Sequence, residues 1–478
     1  MSTIVSVGID IGTSTTQVIF SRITLDNTAG YFSAPRISIV AKEVFYRSEV
    51  CFTPLRTPQL IDGDAVREIV AREYRLAGLS PQAVDTGAVI ITGESARKEN
   101  AAEVLRKLSD FAGEFVVSTA GPDLESIIAG KGSGAWQYSI ENDCSVANLD
   151  VGGGTTNIVV FRSGETAAKS CYDIGGRLIR LDRDKVIQYI SPAAQKVAQE
   201  IGLSLRTGER ADVDILRKIT GRMASLLAEA VGLKPETPLL SAVRTPGSSL
   251  PERTERISRL CFSGGVADCM ENSRAGTADE FRFGDIGMLL GRSIREDAAL
   301  SAVRRVPANE TIRATVVGAG TYTTTLSGST ISYSDGIFPL KNVPALKLSY
   351  QEQQSFLDGS SEGLYEKCRW FLEQSDTDRM LLAIPGRLDP TWQEIRQMAH
   401  GIYQALSRAL PEKEPVVVVV EQDIAKALGN AMKQEAAGRR PVAAIDSIRV
   451  EAGDFVDIGR PLMDGLVVPV VVKTLLFG

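Results

Sequence analysis

The chain has 478 residues, 44% hydrophobic and 23% charged, with a formal net charge of -6. That length exceeds what one hydrophobic core fills, so two or three domains are expected, and the composition excludes a largely disordered or fibrous protein. A modest negative charge without a dense Lys/Arg run excludes a nucleic-acid footprint.

Six scattered cysteines (Cys51, Cys144, Cys171, Cys261, Cys269, Cys368) contain no C-x-x-C pair, and His400 is the only histidine. The thiols read as reduced and mostly buried. One histidine leaves neither a Ser-His-Asp triad nor a multi-His metal centre.

The opening residues run straight into a β-branched strand, Ile4 to Ile9, with no basic n-region, so no export is expected. Asp10 ends this strand, and a Gly/Ser/Thr turn (Gly12, Thr13, Ser14, Thr15, Thr16) leads into a second apolar run. Another strand is predicted from Arg36 to Val44 and a helix from Asp64 to Ala77, on apolar residues at three-to-four spacing.

The strand Val146 to Leu149 then repeats the opening grammar: Asp150-Val-Gly152-Gly153-Gly154-Thr155-Thr156-Asn157 matches Asp10-Ile-Gly12-Thr13-Ser14-Thr15-Thr16-Gln17 without a gap. A strand (Thr166 to Tyr172) and a helix (Pro192 to Ile201) follow, as after the first copy. Each copy is the hairpin of a three-stranded meander, and the whole is an α/β chain with mixed sheets built from two related halves.

Such a turn points backbone N–H groups and hydroxyls into one concavity that suits phosphate. An Asp at the end of the preceding strand supplies a hard oxygen for Mg²⁺ held largely through water. One such turn is equally a plain hairpin turn; two in register are harder to explain that way.

Further along, Leu239 to Arg253 reads as a surface loop. Ile257 to Met270 reads as a strand, a Gly264-Gly265 turn and a helix start, where backbone can approach a flat ligand. Thr311 to Thr325 reads as another strand with a Gly-rich turn. Gly359 to Gly363 is expected to be a loop and Trp392 to Leu410, carrying His400, a helix. Val416 to Val420 is a buried strand before the helix Ile424 to Gln434, and Gly465 to Phe477, too short to span a bilayer, reads as a buried strand pair.

The two Asp-Gly-Thr loops and the Gly264-Gly265 turn resemble the phosphate 1, phosphate 2 and adenosine motifs of the actin, hexokinase and Hsp70 superfamily. This implies an actin-like ATPase fold, two RNase H-like domains with ATP·Mg²⁺ in the cleft between them. The domains would be 1–144, with the helix called connect 1 near its end, 145–335 with the second and third motifs, and 336–478 completing the fold. Asp10 and Asp150 would serve catalysis and the metal; Gly121 stands where Hsp70-like chains carry a carboxylate, so Asp123 or Glu125 would position the hydrolytic water.

The strings VGIDIGTSTTQVIFSR, ITGESARKENA, NLDVGGGTTNIVVF, CFSGGVADCMEN, EQDIAKALGNAM and RVEAGDFVDIGRPL are more specific, and resemble the ethanolamine ammonia-lyase reactivating factors (EutA family) along the whole chain. That resemblance implies a cytoplasmic, chaperone-like protein and slow ATPase that exchanges damaged for intact cobalamin in the lyase. It leaves a homo-oligomer and a microcompartment association open. Nucleic acid and membrane are not expected partners. Two readings from other classes stand beside it: a small-molecule kinase with Asp173 as base, and an actin-like scaffold.

Overall fold

The computed structural model describes residues 2–12, 15–29, 37–57, 60–92, 95, 100–109, 116–119, 122–248, 256–272, 279–322, 325–328, 330–354, 361–375 and 377–474. No helix among them is long and apolar enough to cross a membrane.

Ser2–Ile11 pairs antiparallel with Thr15–Asn27, which pairs with Ile37–Arg47. On its other side Ser2–Ile11 pairs parallel with Thr86–Ile91, and that strand with Val116–Thr119. The second half repeats this plan: Ser145–Val151, Thr156–Arg162 and Glu165–Tyr172 form the meander, and Arg259–Ser263 and Arg305–Val306 extend it in parallel. The chain is thus α/β, with two RNase H-like halves of one topology. Each strand ending in Asp lies inside its sheet, and its apolar residues are buried on both faces because helices cover both, giving near-continuous Val/Ile runs.

The halves are joined by an exchange of helices. Pro122–Gly132 follows the first sheet but packs on the strands of the second. Ala314–Tyr322 follows the second sheet but packs on Ser2–Ile11 and its neighbours in the first. The two helices cross in near-backbone contact. A β-carbon on Gly132 would lie 1.8 Å from the Ala314 carbonyl oxygen, and one on Gly318 2.0 Å from that of Ile128. The Ser6 hydroxyl donates to the Gly320 carbonyl at 2.6 Å, fastening the second helix to the first sheet.

A third sheet of eight strands contains four parallel ones: Leu340–Lys347, Leu381–Ile384, Val416–Val420 and Val442–Asp446. Separate apolar cores cover its two faces, one around Met398, Leu406 and Val418, the other around Val417, Ile445 and Val456. Ile4, Ile23 and Leu25 of the first sheet meet Val467 of this region.

The helices expected at Asp64 to Ala77, Pro192 to Ile201, Trp392 to Leu410 and Ile424 to Gln434 are present as Gly63–Leu76, Pro192–Glu200, Trp392–Ala409 and Ala425–Ala436. Three expectations fail and a fourth fails in part. Thr311 to Thr325 is the helix Ala314–Tyr322, not a strand and turn: Thr, Val and Gly are poor helix formers, but only small side chains fit the crossing, and packing overrides propensity. Leu239 and Leu240 are buried in the short helix Pro238–Ala242, not a surface loop. The apolar C-terminal run supplies one strand, Pro469–Thr474, whose partners are Asp454–Ile458 and Thr325–Leu326. Of the expected Gly359 to Gly363 loop, Gly359 and Ser360 lie outside the described residues, as do residues 249–253, while Glu362 and Gly363 open the helix Glu362–Gln374 and are not loop.

Gly132→Ala and Gly318→Ala should each destabilise the chain by roughly 1–3 kcal/mol through overpacking. Gly221→Ala, in the Val213–Ala230 helix with nothing within 4 Å of its added β-carbon, should stabilise it by about 0.5–1 kcal/mol. Denaturant midpoints test this; equal midpoints for all three variants would contradict the crossing.

Candidate functional site

The parallel registers bring the carboxyl ends of the central strands to one edge. In the first sheet Ile11 stands beside Ile91, and Ile91 beside Thr119, so Asp10, Thr92 and the start of the Pro122–Gly132 helix share that edge. In the second, Ser263 stands beside Asp150, so the Gly264-Gly265 turn follows at the same level. Ligand crevices of open α/β sheets form at such edges.

The two hairpins match in detail. The Gly12 N–H donates to the Thr15 carbonyl at 2.8 Å, and the Gly152 N–H to that of Thr155 at 2.9 Å. Thr16 and Thr156 are wholly buried and hold the loops from behind: Thr16 Oγ1 lies 3.1 Å from Thr53 Oγ1, and Thr156 Oγ1 donates to the Ile174 carbonyl at 2.7 Å. Thr53 and Ser95 both donate to the Gly12 carbonyl, at 2.8 and 3.0 Å. On the second loop the Arg177 N–H donates to the Gly153 carbonyl at 2.7 Å, and Gly175 packs against Gly153 and Gly154.

Asp10 and Asp150 are buried, 7% and 6% exposed, and each is oriented by a hydroxyl from the neighbouring parallel strand end. Thr92 donates to Asp10 at 2.9 Å and Ser263 to Asp150 at 2.6 Å. Thr315, in the exchanged helix, also hydrogen-bonds Asp150. Burial pushes the Asp10 carboxyl up to about 7, against the Thr92 bond, and the charge of Asp150 adds to the rise. Burial likewise raises Asp150 to about 6, opposed by Ser263 and Thr315. The two loops therefore face each other closely enough for their acids to repel.

Directly across each hairpin from the acid stands an amide: Gln17 opposite Asp10 and Asn157 opposite Asp150. Both amides are 2% exposed, and Gln17 Oε1 and Asn157 Oδ1 are buried without a hydrogen-bond partner among the described residues. Two repelling carboxyls beside two amide oxygens without a donor form a site short of positive charge among the described residues. A hydrated divalent cation fits that need. No three His, Cys, Asp or Glu side chains converge among the described residues. A cation here would therefore keep much of its own water.

Gly264 has φ of +85° and would bring a β-carbon within 2.3 Å of the Val151 carbonyl oxygen, so this turn requires glycine; Gly265 beside it is open. Asp123 pairs with Lys169 at 3.3 Å, pinning the exchanged helix to the second sheet, and Glu125 is buried in the same first turn. Asp173 accepts from Thr245 at 2.7 Å. Thr13, Ser14, Gly121, Arg97, Lys98 and Glu99 lie outside the described residues. Thr92, Ser263 and Thr315 were missed from sequence, since single hydroxyls at strand or helix ends carry no motif. The Gln17/Asn157 pair was visible only as a conservative exchange between the copies.

The family model described as "Ethanolamine utilisation protein EutA" matches residues 2–478. The ethanolamine ammonia-lyase reactivase EutA of Salmonella typhimurium is 37% identical over 478 residues, covering 99% of this chain and 98% of the relative. The protein of the same name from Escherichia coli matches equally, 37% over 99% and 98%. Among solved structures, an Aquifex aeolicus PPX-GPPA enzyme aligns with a TM-score of 0.36 at 14% identity, over 67% of this chain and 90% of its own; so slight a likeness carries no functional argument.

In metal-free buffer both acids have an ordinary value of 3.8 but ionise reluctantly when folded. Their contribution to stability is therefore complete below about pH 4 and lost as pH rises through about 6 and 7. Asp10→Asn should flatten that loss and leave the protein at pH 8 more stable than the parent by on the order of 2 kcal/mol. Urea midpoints from pH 4 to 8 check this; parallel profiles would overturn it.

Proposed function

The chain belongs to the EutA family of ethanolamine utilisation proteins, and on that footing we propose that it is an ATP-dependent, chaperone-like reactivating factor. Its partner is the adenosylcobalamin-dependent ethanolamine ammonia-lyase, from which it promotes release of damaged cobalamin so that intact coenzyme can enter. The setting proposed is the cytoplasm. The observation that carries the nucleotide part is the facing pair of buried acids, Asp10 and Asp150, one on each half.

When bound with a nucleoside triphosphate, Mg²⁺ would supply the positive charge that the two acids lack, and the phosphates the oxygens for the loop donors. Asp10 and Asp150 would hold the cation, with Gln17 and Asn157 accepting from its waters. The backbone amides and hydroxyls of Gly12 to Thr16 and Gly152 to Thr156 would take the phosphates, and Gly264-Gly265 the adenosine. Thr92 and Ser263 keep the two carboxylates aimed. Asp123 and Glu125 remain the proposed water-positioning residues; the Lys169 ion pair of Asp123 favours Glu125.

Coupling to a partner follows from the helix exchange. Ala314–Tyr322 touches Asp150 through Thr315 and lies against Gly8, two residues before Asp10, so a change in how the loops approach each other must move this helix against the first sheet. Differential contacts of this kind bias a two-state hinge. The lone His400 is exposed and bonded to Glu435 at 3.0 Å, so this chain needs no cobalt ligand of its own in this reading.

Incubation with ATP, Mg²⁺ and lyase carrying inactive cobalamin, followed by fresh adenosylcobalamin, should restore deaminase activity. No recovery at any stoichiometry would defeat the proposal, and robust phosphorylation of ethanolamine would favour a kinase. Asp10→Ala and Asp150→Ala should each weaken Mg-nucleotide binding at least about tenfold, as loss of charge-assisted contacts does. Titration calorimetry reads this; unchanged affinity in both would remove the two-loop site.

A further inference from the structure

A cavity of about 270 Å³ lies where the first sheet, the exchanged helices and the third sheet meet. Its walls are apolar, with Ile90 from the first sheet, Ile128 from the Pro122–Gly132 helix and Val472 from the third sheet. Lys131, Tyr322, Thr325, Ser447 and Arg449 supply its polar lining. It shares the two helices with the carboxylate site but none of that site's polar side chains.

Lys131 and Lys42 are both half-buried and interact as like charges beside Tyr322. Lys42 Nζ sits 4.0 Å from the Tyr322 ring centre and Lys131 Nζ 5.4 Å from that of Trp136; the two rings meet edge to face at 5.8 Å. Neither amine has a carboxylate partner among the described residues. Burial, reinforced by the Lys131 charge, lowers Lys42 to about 8, and burial lowers Lys131. Surface lysines avoid this penalty by reaching into water, whereas Lys131 stands on the wall of a cavity and Lys42 is held over the ring of Tyr322, which lines the same cavity. A cation on the wall of an apolar hollow, with a second one beside it and no carboxylate partner for either among the described residues, is electrostatically complementary to one kind of occupant.

We propose that this cavity binds a small amphipathic anion, its apolar body against Ile90, Ile128 and Val472 and its acidic head at Lys131 beside Tyr322, with the charge of Lys42 over the Tyr322 ring adding to the attraction. The site is independent of the nucleotide reading. Its ligand would contact both exchanged helices, and so sits where it can bias the angle between the halves.

Calorimetry on the full chain with octanoate as probe, and 1-octanol as its uncharged counterpart, tests the proposal. Octanoate should bind saturably at one site, and 1-octanol at least about tenfold more weakly, the loss expected for one charge-assisted contact. Lys131→Met should weaken octanoate by a similar factor, while Lys131→Arg retains it. Thr325→Trp, at the exposed rim, should block octanoate without touching either amine, and it keeps the test decisive if Lys131→Met fails to fold. Absence of saturable octanoate binding, equal binding of 1-octanol, or full affinity in both Lys131→Met and Thr325→Trp would overturn the proposal.

Discussion

The crossing of Pro122–Gly132 with Ala314–Tyr322 is a contact between two backbones, and the placement of the rest of the nucleotide-site candidate depends on it. Neither Gly132 nor Gly318 leaves room for a β-carbon. At that separation each helix reaches past its own half: one lies on the second sheet, the other on the first. The halves are therefore joined by two buried crossovers rather than by a surface interface, and a movement between them has to pass through these helices. Small residues are the means, because dispersion contacts across such a crossing are lost with a fraction of an ångström of separation.

That joint holds the two acidic hairpins against each other. Asp10 and Asp150 would avoid each other in water, yet they are buried, oriented by Thr92 and Ser263, and backed by amides whose oxygens find no donor among the described residues. The arrangement is strained in the electrostatic sense and costs stability until positive charge enters. Sites that do chemistry or gate motion commonly carry such a cost, whereas the exposed ion pairs of this chain, such as Arg408–Glu362, are worth little either way. In the function proposed, the acids and the crossing are the means by which a ligand in the cleft would be felt in both halves.

The third sheet adds a different element. It has its own cores on both faces and leans on the first sheet through Ile4, Ile23, Leu25 and Val467, at the opposite end of the opening strand from Asp10. Between it and the exchanged helices lies the cavity edged by Lys131 and Tyr322. The exchanged helices thus face an acid-lined cleft on one side and an apolar cavity edged by Lys131 on another, and the two proposed ligands would differ accordingly.

The sequence by itself determined the hairpins, their duplication and the family. The reason is local: β-branched runs ending in Asp, followed by Gly and Thr, specify strand and turn within a dozen residues, and two copies in register can be compared directly. The helices around Tyr74, Val197, Met398 and Leu428 were equally legible, from apolar spacing along one face. Only the tertiary structure decided that Ala314–Tyr322 is a helix, because a segment of Thr, Val, Ala and Gly has the local preferences of a strand. Its helicity comes from being enclosed between the first sheet and the crossing helix, where nothing larger fits. The same holds for Thr92, Ser263 and Thr315: a hydroxyl acquires its role from the carboxylate it meets, and strand register and helix packing, not neighbours in the chain, bring that carboxylate to it.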